Sequence, residues 1–147
     1  MAGVTATLTT PGLDAAIKRL SRLDGFQAAE LLDDAGAILE SSTRRRFETK
    51  IAPDGTPWAD WSDAYAGTRE DHHSLLVSEG DLLDSIASYS TGNEVHVGSS
   101  LVYAAHHHFG GDEIGSGIPE RPSLGVSDED ERDLADLVTG RLEELLQ

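Results

Sequence analysis

The sequence predicts a single α+β domain, with a long N-terminal helix and a C-terminal helix packed on a small antiparallel β-sheet. Three observations carry that prediction. Apolar residues recur at helical spacing from Phe26 to about Lys50, and again beyond Asp128. Between them, Thr91-Gly92-Asn93 separates two short segments that read as the arms of a β-hairpin. A length of 147 residues suits one domain (residues 1–147), which buries roughly two-thirds of its unfolded surface.

Val4-Thr5-Ala6-Thr7-Leu8-Thr9 alternates apolar and polar residues with β-branched content, which predicts a short strand ended by Pro11-Gly12. Leu13, Ile17, Leu20 and Leu23 then mark a short amphipathic helix that stops at Asp24-Gly25. The long helix follows, with Phe26, Ala29, Leu32, Ala35, Ile38 and Leu39 as its apolar stripe. Glu30, Asp33 and Asp34 near its start and Arg44, Arg45, Arg46 and Lys50 near its end both complement the helix dipole.

Residues 51–79 read as a long loop or arm. Pro53-Asp54-Gly55-Thr56-Pro57 is dense turn chemistry, and Trp58 and Trp61 stand in an otherwise polar stretch. Loops this long in compact domains are commonly functional, so an ordered interaction arm is expected. Its two tryptophans would anchor it on the domain or on a neighbouring subunit. A hairpin over residues 84–99 comes next, with Glu94-Val95-His96-Val97-Gly98 alternating as a strand does. The strand near residue 6 extends the same sheet. Leu101 to Phe109 predicts a short helix closed by Gly110-Gly111. Residues 111–126 form an extended Gly/Pro-rich arm, because proline restricts the residue before it. The last helix begins at Ser127, a plausible N-cap with Asp130 three residues on, and carries Leu134, Leu137, Val138, Leu142 and Leu145 on one stripe.

Composition narrows the function. Eleven basic against 27 acidic residues give a formal net charge of -16, which disfavours nucleic acid and anionic lipid as direct ligands. There is no cysteine, so thiol chemistry and disulfides are excluded. Residues 1–11 lack the pattern of a signal peptide, and no window approaches the roughly 18 apolar residues of a membrane span. No catalytic residue, cofactor or metal is expected. His106-His107-His108, with His72-His73 and His96, is the main pull towards an enzyme or metal site. Consecutive helical histidines point about 100° apart, so neighbours share no face. Asp112 or Glu113 could join one of them by the chance of a turn. The acidic pairs Asp33-Asp34 and Asp128 to Asp133 read as solvated helix faces, and Ser99-Ser100 lacks the nucleophile elbow. Arg44-Arg45-Arg46 is the only basic cluster; it reads first as a helix end, then as a subunit contact, then as a DNA contact.

The order of short motifs is more telling than any one of them. Arg46-Phe47 precedes Pro53-Asp54-Gly55 and Trp58; Leu76-x-x-x-Gly80-x-Leu82-x-x-Ser85-Ile86 follows. Then come Val95-x-Val97-Gly98, Tyr103-Ala104, Phe109-Gly110 and Ile118-Pro119-x-Arg121-Pro122-x-Leu124-Gly125. Over residues 38–140 this series resembles the phage virion morphogenesis family, the tail-completion proteins, and more loosely other small head–tail joining and minor tail proteins. Glu79-Gly80-Asp81 and Ser123 depart from the family's usual Thr-Gly and aromatic at those places. The resemblance implies a non-enzymatic structural protein that completes the tail or joins it to the head at the neck. It would form a homo-oligomeric ring, a hexamer, beside tail tube, sheath or neck proteins, with DNA passing through unbound. Interface candidates are Trp58, Trp61, Tyr103, Phe109, Pro119, Arg121, Pro122 and Leu124, with Arg44, Arg45 and Arg46. Tyr103 and Phe109 would pack towards the hairpin, and Arg121 between stiff prolines would meet an acidic partner surface. The alternatives are a transient assembly factor and a small hydrolase or metal-binding enzyme built on the histidines.

Overall fold

The computed structural model describes residues 3–8, 11–23, 25–92, 94–111 and 115–146. In chain order it comprises β1 (Val4–Leu8), α1 (Pro11–Leu20), α2 (Ala28–Thr49), α3 (Asp63–Ala66), α4 (Asp81–Asp84), β2 (Ala87–Thr91), β3 (Glu94–Ser99), α5 (Ala104–Phe109) and α6 (Asp128–Leu145). The architecture is α+β, as the sequence implies. One three-stranded antiparallel sheet runs in the order β1-β3-β2, so the strand near residue 6 does extend the hairpin.

The sheet's register pairs Ala6 with Val97 on one side of β3 and Ser88 with Val97 on the other. In β3, Val95, Val97 and Ser99 point inward while Glu94 is exposed, the period-2 pattern of a half-buried strand. Asn93 of the expected turn lies outside the described residues, as do Asp24, Asp112 and Glu113.

Helix α2 supplies most of the core, and its inner face is rotated from the stripe read in sequence. Leu31, Leu32, Ala35, Gly36, Leu39, Thr43, Arg46 and Phe47 are buried, whereas Ala29 is exposed and Ile38 half-buried. Its 22 residues outrun any straight stripe, because an ideal helix drifts relative to a fixed repeat. Thr43 resolves its burial by donating its hydroxyl to the Leu39 carbonyl at 2.7 Å. Helix α2 ends at Lys50, which sits in the left-handed region (φ 60°) and closes the last turn with an N–H bond to Arg46 O.

Helix α6 lies against α2. Ser127 caps it with a full capping box: its hydroxyl accepts the Asp130 N–H while the Asp130 carboxylate accepts the Ser127 N–H. Leu134, Leu137, Val138 and Leu142 pack half-buried on the core. The short helix α5 starts at Ala104 rather than Leu101, because residues 101–103 form a turn closed by Ala104 N–H on Leu101 O at 3.1 Å. Among the described residues no helix is long and apolar enough to cross a membrane.

Candidate assembly surface

The two predicted arms are bound to the domain and to each other. Residues 50–58 form a tight reversal: Ala52 N–H bonds Thr56 O, Trp58 N–H bonds Lys50 O, and the Asp54 carboxylate accepts the Thr56 N–H at 2.9 Å. That turn drives Trp58 into the core, where its ring meets Phe47 edge-on at 5.6 Å. Its indole N–H donates to Pro122 O at 2.8 Å, on the second arm. Arg121 returns the tie. Its Nε donates to Ala59 O at 2.8 Å and its Nη2 to Asp60 O at 3.1 Å. Backbone bonds from Arg121 N–H to His107 O and from Gly111 N–H to Ile118 O fasten the same arm to the end of α5. Gly110 makes that approach possible, with φ 80° and a hypothetical Cβ only 2.9 Å from Glu120 N.

Several sequence candidates therefore sit inside the chain rather than on its face. Trp58, Arg121 and Leu124 are buried, and Ser123, where the family usually has an aromatic, is buried as well. Arg121 does not present its fork outward, because carbonyls of its own first arm fill it. Arg46 is also turned inward. Its guanidinium bonds Ser123 O at 2.7 Å, Gly125 O at 3.3 Å, Ser42 Oγ at 3.1 Å and Asp130 Oδ2 at 2.5 Å. Arg44 and Arg45 stay partly exposed, the first on Ile86 O and Glu40, the second on Glu129 at 3.1 Å. The basic run thus neutralises its own chain's acids and carbonyls.

Electrostatics at the buried pair follow from this geometry. Burial alone would push the Asp130 carboxyl up, but hydrogen bonds from Ser127 and Ser42 and the Arg46 charge hold it below the usual carboxylate range. Burial lowers Arg46 and Arg121, each against the pull of a nearby carboxylate, Asp130 and Asp60.

What remains outside is aromatic. A groove of about 510 Å³ opens between the arms, lined by Trp61, Tyr65, Arg69, Tyr103, Ile118 and Pro119. Trp61 meets Tyr65 edge-on at 6.1 Å, and the Arg69 guanidinium lies 4.5 Å over the Tyr65 ring. Tyr103 is 45% exposed and Phe109 67%, with Val102 at 73% beside them. Both rings are exposed instead of packed on the hairpin as expected, and Tyr103 lies in the turn that precedes α5. Tyr65 and Arg69 were not singled out in the sequence, although their i,i+4 spacing on and just beyond one helical turn was readable. His107, at the groove's wall, and His108 are held below the ordinary histidine range by burial; His106 and Arg121 add to this at His107, while Glu120 opposes it at His108. Among the described residues, His72, His73 and Glu79 are the group whose donor atoms converge as metal ligands would.

The chain is similar to phage proteins along most of its length. The model of the phage virion morphogenesis family matches residues 8–143. "Putative capsid assembly protein G" of Escherichia phage Mu is 34% identical over 120 residues, covering 76% of this chain and 77% of the relative. "Mu-like prophage FluMu G protein 2" of Haemophilus influenzae is 31% identical over 126 residues, covering 83% of each. No solved structure matches significantly.

Proposed function

Because the chain belongs to the phage virion morphogenesis family, we propose that it is a structural protein of the virion that completes the tail, or joins tail to head at the neck, as a ring of identical copies. A role in building phage particles follows from the family itself; the ring, its position and its six-fold symmetry go beyond it. One observation carries it: both arms are fixed to the domain, and they leave Tyr103, Phe109 and Val102 exposed beside an open groove. Exposed apolar patches rimmed by polar residues mark association surfaces. A heterologous contact, in which this surface meets a different face of the next copy, closes into a ring when its rotation permits. The work is done by packing, without a catalytic step. The acidic surface would let DNA pass through the ring without adhering.

The test is the mass of the purified, tag-free protein by light scattering and native mass spectrometry. Six chains of 15.7 kDa each are expected, and Phe109→Asp with Tyr103→Asp should leave folded monomers. A monomer at every concentration would sink the ring. A second reading, a transient assembly factor, is favoured by the phage Mu relative's name, which refers to capsid assembly. Mass spectrometry of purified virions separates the two, since only a structural component remains in the finished particle.

A further inference from the structure

We propose that His72, His73 and Glu79 form a binding site for a zinc-type divalent cation. The two histidines are adjacent in sequence but do not lie on a helix, so the divergence of helical neighbours does not apply. A turn closed by His73 N–H on Glu70 O brings their ring centroids to 4.3 Å. A tight reversal follows, with Ser74 and Val77 exchanging backbone bonds at 2.8 and 2.9 Å, and it returns Glu79 to the same spot. Leu76 pays for that reversal with a left-handed backbone (φ 61°), a conformation that branched side chains seldom adopt. The hairpin is anchored from beneath: Lys50 Nζ donates to Ser74 Oγ at 2.9 Å and Leu75 O at 3.0 Å, and Leu75 is buried.

The donor atoms already approach ligand spacing. His73 Nε2 lies 3.5 Å and His72 Nε2 3.9 Å from the same Glu79 Oε1, and one donor atom from each residue falls within 4.8 Å of the others. A tetrahedral ion with bonds of about 2.0–2.1 Å sets its ligands roughly 3.3 Å apart, so the two distances to Glu79 are already close to that spacing and the two histidine donors, at most 4.8 Å apart, close by up to about 1.5 Å. Two imidazoles and one carboxylate suit zinc better than calcium or magnesium, which take oxygen. Water completes the coordination on the exposed side. His73 Nδ1 accepts the Glu70 N–H at 3.1 Å, which leaves the proton on Nε2. Metal at Nε2 needs the other tautomer, so that bond is exchanged for one donated by Nδ1–H. The ion would lock residues 70–79 at the rim of the groove, which Glu79 also lines.

Calorimetric titration of tag-free protein with zinc chloride tests this. One equivalent per chain should bind. His72→Ala and Glu79→Gln, both at exposed positions, should each weaken binding by at least the roughly 10–100-fold that loss of even an outer partner costs, with unchanged thermal unfolding in the absence of metal. His106→Ala combined with His108→Ala should leave it unaltered. Absence of binding, or binding that survives the His72 and Glu79 changes, overturns the site.

Discussion

Arg46 and Asp130 face each other across the contact of α2 with α6, and both are almost fully removed from water. Two charges withdrawn from water must find each other and their remaining hydrogen bonds, and here they do: Arg46 also serves two carbonyls and Ser42, while Asp130 serves the α6 cap. Removing one partner strands the other. Asp130→Asn should therefore lower unfolding stability by about 3–5 kcal/mol in denaturant titration, whereas replacing both residues with apolar ones of similar size should cost far less. The sign of the pH dependence follows from the depressed Asp130 carboxyl. Its contribution is complete above the unfolded carboxylate value of about 3.9 and is lost as pH falls through the lower folded value. Acid unfolding of Asp130→Asn should accordingly be shallower than that of the wild type. Gly98 is a second residue on which much depends, for reasons of space alone. A Cβ there would meet Val4 O at 2.4 Å and Thr5 Cα at 2.9 Å, both backbone atoms of the paired strand. Gly98→Ala should cost about 1–3 kcal/mol and be read as lost protection of the β1 amides in hydrogen exchange.

At the scale of elements, the two arms behave as one clamp because Arg121 and Trp58 each reach across to the other arm's carbonyls. Hydrogen bonds from a charged donor contribute about 1.5–3 kcal/mol. Arg121→Met should lose that much, and limited proteolysis should then cut between residues 60 and 79 while the helices stay intact. Helix α5 carries its own pH dependence. Among the described residues, the Nδ1 atoms of His107 and His108 have no hydrogen-bond partner, and burial keeps both rings neutral. Unfolded, such rings take up a proton near pH 6.5. The stability they contribute is thus full above about that pH and drains away as pH falls through their depressed folded values. Thermal unfolding should drop between about pH 7.5 and pH 5.5, and His107→Gln with His108→Gln should flatten that drop.

For the whole molecule, the net charge of -16 sets the terms of assembly. Copies with the same charge repel at long range, while the aromatic surface around Tyr103 and Phe109 attracts only at contact. Salt shortens the repulsion to about 10 Å at 0.1 M and about 3 Å at 1 M. Formation of the proposed ring should therefore strengthen with salt in sedimentation or light-scattering measurements. Weakening by salt would mean that the contact is built on opposite charges instead.

Most elements were legible along the chain, because each rests on local chemistry; the exceptions are the single turns α3 and α4, the second of which takes Asp84 out of the expected hairpin, so that its first strand begins at Ala87. The Ser127 cap, the alternation through Val95 and Val97, the dipole-matched ends of α2 and the breaking effect of residues 53–57 need no distant partner. The family series of motifs was legible for a similar reason, since its glycines and prolines mark fixed backbone turns. Only the tertiary structure decided which side chains face out. Arg46, Arg121 and Trp58 read as surface or interface groups until residues 61 to 84 positions away supply the carboxylate and carbonyls that draw them inside. The meeting of His72 with Glu79 was equally out of reach, because a turn through a left-handed leucine carries no sequence signature. Hydrophobic period and capping act between neighbours in sequence, whereas burial of a charge depends on what the rest of the chain brings to meet it.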